Sequence, residues 1–137
     1  MSFAEFLVLA LCHLFHLSPS PQLQNQCRIV ADAAIEYHVP VHVLAGICWH
    51  SSGMGTDPLY RSFCGARTEY GFPVMDDRDN ARMMGQTLER GYARCGTWIG
   101  AVSYAHSGWC RSRSFDPWAR TAFARGQQIG REMTRPR

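Results

Sequence analysis

Lysine is missing from this sequence, in which all 14 basic side chains are arginine. We attribute the missing lysine to the codon usage of a GC-rich gene rather than to selection for phosphate binding. The sequence also contains no cluster of basic residues interleaved with aromatic residues, which is the usual pattern of a nucleic-acid surface. A nucleic-acid partner is therefore not expected.

Metal-binding spacings are missing as well. None of the six cysteines forms a CxxC pair, and the cysteines and histidines together fit no zinc template, so we expect no metal and no other cofactor. Disulfides are plausible if the protein works outside the cytoplasm, although the spacing does not reveal their connectivity. Cys48 lies in an apolar stretch and is predicted to be a small buried thiol. A bridge could form at Cys64, Cys95 or Cys110, which fall near the ends of predicted elements.

No apolar run is long enough to span a membrane comfortably, because the longest one, residues 6–17, has only about a dozen residues. This run is similar to the core of a secretory signal, but Glu5 precedes it without any Lys or Arg, and Pro21 would lie just after a cleavage site. Residues 1–21 therefore form a hydrophobic N-terminal segment with two open interpretations. The segment is either a signal or anchor that contacts a membrane or a partner protein, or an ordinary first helix.

Charge is distributed unevenly along the 137 residues, which are enough for one domain with one core. Residues 1–60 hold one arginine and four acidic residues, whereas residues 61–137 hold thirteen arginines and seven acidic residues. The first part therefore carries a charge of −3 and the second part +6, within a total of +3. A basic second half suits an anionic polymer such as a cell-wall glycan, or a membrane surface.

Hydrophobic periodicity predicts several helices and one glycine-rich interruption. Asp77 or Asp79 is the predicted cap of the helix after the interruption, and Thr97 and Asp116 are the predicted caps of the last two helices. The pattern predicts an α+β domain, mostly α, over residues 22–133, followed by a frayed tail at 134–137. Helices are predicted over residues 22–38, 40–50, 77–92, 97–106 and 116–133, with loops and a small irregular β-hairpin over 53–76.

Three stretches of the sequence carry a resemblance to a known family. Residues 44–53 read LAGICWHSSG, residues 70–76 read YGFPVMD, and residues 101–108 read AVSYAHSG. In that order they resemble the LxAIxxxESG, GxGLMQ and ALAAYNxG motifs of the lysozyme-like lytic transglycosylases, which include the soluble lytic transglycosylase domain and its goose-type lysozyme relatives. The resemblance covers about residues 27–110 and implies a lysozyme-like domain.

The resemblance also implies a chemistry. In the family, one glutamate at the end of the buried helix protonates the glycosidic oxygen between N-acetylmuramic acid and N-acetylglucosamine, then acts as a base while a 1,6-anhydro ring forms. On this alignment Ser51 occupies the position of that glutamate. Tyr70, Met75, Tyr104 and His106 are the residues that the resemblance places along the glycan cleft.

Ser51 departs from the family at its most important position, because a serine hydroxyl does not usefully protonate a leaving oxygen near neutral pH. Three interpretations stay open: a degenerate member that binds glycan or serves structurally, an active enzyme that uses another carboxylate, or an introduced inactivating change. Glu69 is the candidate for another carboxylate, although a solvated loop acid is the more common case. A nucleophilic role of Ser51 with His50 or His106 is not expected, since the sequence contains no GxSxG elbow.

The expected function is therefore that of a peptidoglycan-processing protein of the lytic transglycosylase type. It would act outside the cytoplasm, in the periplasm, the cell envelope or a virion, during envelope passage or lysis. The alternative is a catalytically inactive glycan-binding or structural subunit of a phage, secretion or conjugation assembly. Peptidoglycan glycan strands are the expected partner of the processing protein, and residues 6–17 are a possible contact with a membrane or a partner protein.

Overall fold

The computed structural model describes residues 1–110 and 116–136, and these residues form six α-helices. The predicted mostly α fold is confirmed. The helices are α1 (Phe3–Phe15), α2 (Pro21–Glu36), α3 (Val41–Ser52), α4 (Asp77–Cys95), α5 (Trp98–Ser107) and α6 (Pro117–Met133).

Side-chain caps set the starts of most helices. The predicted caps of α5 and α6 are confirmed, since Thr97 accepts from the Gly100 N–H and Asp116 from the Ala119 N–H. The predicted cap of α4 was wrong: Asp76 accepts from the Asp79 N–H at 2.9 Å, and Asp77 is the first helical residue. Aspartate occupies three of the four positions 76–79 at this helix start, so composition alone does not fix which one is the cap.

The buried helix α3 lies against α6 at the centre of the molecule. Its side chains from Val43 to Cys48 are buried, as expected of a helix without a polar face. A Cβ atom on Gly46 would lie 2.5 Å from the backbone of Gly126, so the two helices approach so closely that only glycine fits at the crossing. The helix ends at Gly53, whose φ of 59° and N–H bond to Trp49 form a left-handed cap.

The N-terminal segment contributes to the same core as residues 22–133. Leu7, Ala10 and Leu11 of α1 are fully buried, and the Phe15 ring stacks on Trp49 of α3 with centroids 3.8 Å apart. Within the described parts of the chain, no helix has the length and hydropathy needed to cross a membrane. Residues 1–21 thus include a helix packed on α2 and α6.

The predicted β-hairpin is not confirmed. In residues 62–74, which we name the turn segment, the structure has a single antiparallel bridge between Arg67 and Pro73 and no strand. Val74 N donates to Ala66 O at 3.1 Å, and Thr68 N donates to Phe72 O at 2.7 Å. The segment therefore folds back on itself in antiparallel fashion, but too briefly to form a ladder.

Two disulfides connect the elements. Cys95–Cys110 joins the end of α4 to the chain after α5, at two of the positions where a bridge was expected. Cys48–Cys64 joins α3 to the turn segment, so the prediction of a free thiol at Cys48 was wrong. Burial of Cys48 was readable from its apolar neighbours, but its partner lies 16 residues away in a segment without periodicity.

Candidate functional site

Ser51 lies in the last turn of α3, facing Gly65 of the turn segment. Its neighbour Ser52 is buried and fixes the chain after the helix, since its hydroxyl donates to Phe63 O at 2.7 Å and accepts from Gly55 N at 2.9 Å. Gly65 has a φ of +84°, and a Cβ atom there would lie 3.0 Å from Ser51 Oγ. Gly65 therefore adopts a backbone conformation that residues with a Cβ atom rarely adopt. Because it has no side chain, the space next to Ser51 Oγ stays open.

A cleft of about 460 Å³ lies between the turn segment and helices α4, α5 and α6. Its lining combines methionines and a tryptophan with charged and amide side chains, which is the mixed character of a small-ligand site. The lining residues are Gly65, Ala66, Arg67, Glu69, Met83, Met84, Gln86, Thr87, Arg90, Ala105, His106 and Trp118.

Asn80 holds the turn segment that forms one wall of this cleft. The side chain is fully buried, and its Oδ1 accepts from Cys64 N at 2.8 Å and Ala66 N at 3.3 Å. Its Nδ2 donates to Val74 O at 2.8 Å and Ser62 Oγ at 2.9 Å. The side-chain amide of Asn80 thus forms hydrogen bonds with backbone groups of the turn segment that would bond to a neighbouring strand if the segment formed a sheet.

His106, at the end of α5, is fixed by two neighbours on α6. Its Nδ1 lies 3.1 Å from Oδ1 of Asp116, whose side chain is only 7% exposed, while the imidazole itself is 44% exposed. Its ring stacks on Trp118 with centroids 4.4 Å apart and planes 13° apart. The buried Asp116 also accepts from Ser103 Oγ at 3.2 Å and from the Ala119 N–H at 3.0 Å. The imidazole therefore has a defined orientation at the cleft.

His50, at the end of α3, approaches Trp118 from the other direction. Its ring meets the indole edge-on, with centroids 5.1 Å apart. Burial lowers the pKa of His50, and the positive charges of Arg125 and His106 lower it further. Two histidines thus flank the one indole that lines the cleft.

The structure brings three of the predicted site residues together. Glu69 and His106 line the cleft, and Ser51 lies against the cleft residue Gly65. Among residues 1–110 and 116–136, neither Glu69 nor the cleft arginines Arg67 and Arg90 forms an ion pair. Arg67 Nη1 donates instead to Gly71 O at 3.0 Å, within the turn segment.

The other three predicted residues lie elsewhere. The Tyr104 ring lies beside α4, 5.9 Å from the guanidinium of Arg94. Tyr70 is 79% exposed at the tip of the turn segment. Met75 is 80% exposed and borders a separate depression next to α2.

Sequence reasoning missed two residues that shape the site. Trp118 was not among the predicted site residues, although it lines the cleft. Asn80 was not singled out, yet it stands at the same helical spacing as the buried Met84 and Leu88. A polar residue on an apolar stripe was the available signal, because such a residue needs hydrogen-bond partners from another segment.

No family model matches the chain, and comparison with curated proteins and with solved structures gave no match either. The function must therefore be argued from the cleft and from the residues that converge on it.

Proposed function

We propose that this cleft binds glycan strands of peptidoglycan and that the chain is a lysozyme-like protein of the lytic transglycosylase type. The observation that carries the proposal is that residues from three separate stretches lie in one cleft or directly against its lining. Ser51 comes from the first motif, Glu69 directly precedes the second, and His106 belongs to the third. These stretches are far apart in sequence, so their meeting at one place favours a shared role.

The chemistry of the lining suits a sugar ligand. The indole of Trp118 and the imidazole of His106 stacked on it form a ring surface in the cleft wall, and such a surface can pack against the C–H side of a sugar ring. Gln86 and Arg90 supply donors for hydroxyl and N-acetyl oxygens. Arg67 and Arg90 also suit the carboxylates that the peptide stems of peptidoglycan carry.

Binding is the part of the family's function that this chain retains without its glutamate. Ser51 offers no carboxyl, so the glutamate mechanism is closed to the chain as written. We infer that the protein acts outside the cytoplasm, because reducing cytosol would keep both disulfides open.

One observation favours a second candidate, a structural subunit of an envelope-crossing assembly. Phe3 and Leu9 of α1 are 56% and 37% exposed, and Met1 is 69% exposed. These apolar side chains would be covered in a complex with a membrane or a partner protein. Such a subunit need not bind glycan, so glycan binding discriminates between the two candidates.

Cosedimentation with purified peptidoglycan sacculi tests the proposal. We expect the chain to pellet with sacculi and Arg90→Ala or Trp118→Ala to weaken binding about tenfold, which corresponds to ~1.4 kcal/mol. Arg120→Ala is the matched control, since Arg120 is exposed on α6 outside the cleft lining. Absence of the protein from the pellet, or equal binding by all three variants, would contradict a glycan-binding cleft and favour the structural subunit.

A further inference from the structure

The contacts of Asp116 define which nitrogen of His106 carries a proton. An ionised aspartate only accepts hydrogen bonds, and Asp116 accepts from Ala119 N and Ser103 Oγ as well as facing His106 Nδ1. Nδ1 must therefore be the protonated nitrogen in the neutral imidazole. Nε2 has no hydrogen-bond partner in the described chain, and it is the nitrogen left for a ligand.

Several charged groups surround this imidazole. Asp116 on α6 is its counter-ion when it is protonated, and His50 on α3 lies across Trp118. Arg90 on α4 and Arg67 and Glu69 of the turn segment share its cleft. Glu69 is the only carboxylate among the residues that line the cleft, and it lies on a different wall from His106.

We propose that His106, oriented by Asp116, and Glu69 are the acid and the base with which this cleft hydrolyses the glycosidic bond of a bound strand. This inference rests on the proposed glycan binding and adds catalysis to it. Hydrolysis of a glycoside by general acid–base catalysis uses one group that protonates the leaving oxygen and a second group that activates a water molecule. Ser51 takes no part in the proton transfers.

The reaction consumes one water molecule. The Nε2–H of the His106 imidazolium donates its proton to the bridging oxygen while the bond from that oxygen to the anomeric carbon breaks. A water molecule forms the new bond to the anomeric carbon and gives its proton to the Glu69 carboxylate. The protons then return to their starting groups through solvent, so the net products are two shorter strands, one with a new reducing end.

Asp116 is a positioning residue in this scheme. It does not touch the strand, but it fixes the tautomer and the orientation of His106 and balances the charge of the imidazolium. Asp116→Asn keeps a good helix cap, so the fold should survive. Asparagine has one acceptor oxygen where aspartate has two, so the preference for the Nδ1–H tautomer should weaken; the nitrogen-15 chemical shifts of His106 measure this change, and the cleavage rate should fall.

The experiment measures strand cleavage in water enriched in oxygen-18, with purified sacculi as the substrate. Wild type should release soluble fragments that carry oxygen-18 at the new reducing end. His106→Asn keeps a donor for Asp116 but removes Nε2, and Glu69→Gln removes the base. Each should lower the release rate about a hundredfold or more, while sacculus binding changes only a few-fold.

The chain offers a matched control pair outside the cleft. His38 Nδ1 lies 2.7 Å from Glu89 Oε2, so this pair repeats the chemistry of a histidine beside a carboxylate on an exposed surface. Asn suits position 38 because its φ is positive, at 59°. His38→Asn and Glu89→Gln should therefore release fragments at the wild-type rate.

The outcomes separate the two proposals. Wild type that binds sacculi but releases nothing, or fragments that lack oxygen-18, would overturn the catalytic inference and leave glycan binding standing. The same holds if His106→Asn and Glu69→Gln cleave as fast as the control pair. Wild type that neither binds nor cleaves would overturn both proposals.

Discussion

At the scale of single residues, position 51 has room for a longer side chain but carries no acidic group. Ser51 is half-buried at the end of α3, and Gly65 leaves the volume in front of it open. Met84 also lies near this position, with its Cε 3.9 Å from where a Gly65 Cβ would be. A longer acidic side chain at position 51 would therefore extend into a partly apolar part of the cleft, where burial raises the pKa of a carboxyl.

This geometry leads to a prediction for Ser51→Glu. The new carboxyl should act as a general acid and raise the rate of strand cleavage above wild type by about a hundredfold or more. Release of 1,6-anhydro fragments from sacculi, measured by mass spectrometry, distinguishes this route from hydrolysis by His106 and Glu69. Ser51→Gln is the control, because it has nearly the same shape and no acid. Equal rates for the glutamate and glutamine variants, both folded and binding sacculi, would show that position 51 is not the acid position.

Residue roles were predictable only where they depend on local sequence. The caps Thr97 and Asp116 were read correctly because a cap acts on N–H groups two or three residues away. The second role of Asp116, as the partner of His106, depends on how α5 and α6 meet. The five side-chain hydrogen bonds of Asn80 likewise reach a segment 6 to 18 residues earlier in the chain. The hydrophobic periodicity of the sequence does not predict such contacts between elements.

At the scale of elements, helices α3 and α6 cross with their backbones in close approach. Gly46 and Gly126 face each other, and a Cβ on Gly126 would lie 2.7 Å from His42 O. Because α3 carries Ser51 and α6 carries Trp118, this crossing fixes the position of Ser51 relative to the wall of the cleft that α6 forms. The helices themselves were predictable from their apolar stripes. Their close approach was not, because a glycine inside a helix does not by itself indicate a helix crossing.

We predict that Gly46→Ala lowers the free energy of unfolding by about 1–3 kcal/mol, because its methyl group would overlap the backbone of α6. The direction of the change is informative, because alanine is intrinsically the better helix former by about 1 kcal/mol and helix propensity alone would therefore raise the stability. Urea unfolding followed by circular dichroism measures the change. Arg120→Ala, on the exposed face of α6, should stay within about 0.5 kcal/mol of wild type. A Gly46→Ala variant as stable as wild type would show that the two helices lie further apart.

At the scale of the whole molecule, residues 1–21 add a packed helix to the core, and the two disulfides add covalent links between its elements. Helix α1 covers one side of α2 and α6 and brings Phe15 onto Trp49, two residues before Ser51 in α3. The free thiol of Cys27 lies inside this packing, where burial raises its pKa to about 12, so it is poorly reactive. The apolar character of this segment was readable from the sequence, but an apolar run of this length is equally typical of a signal and of a packed helix.

The two disulfides should have different effects when they are removed. Each closes a loop of similar length, so Cys48→Ala/Cys64→Ala and Cys95→Ala/Cys110→Ala should each lower the free energy of unfolding by about 2–4 kcal/mol. Cys48 lies one turn before Ser51, and Cys64 precedes Gly65, so only the first bridge holds the turn segment against α3. Its loss should also weaken binding to sacculi about tenfold at temperatures where the variant stays folded.

Urea unfolding with and without reductant measures the stability effect, and cosedimentation of the folded variants measures binding. Cys12→Ala is the control, because Cys12 is a half-buried free thiol and its removal opens no bridge. If reductant leaves wild-type stability unchanged, the bridges do not form in solution. If both double variants bind sacculi equally well, the turn segment is held by Asn80 and Ser52 alone, and the Cys48–Cys64 bridge contributes to stability but not to the shape of the cleft.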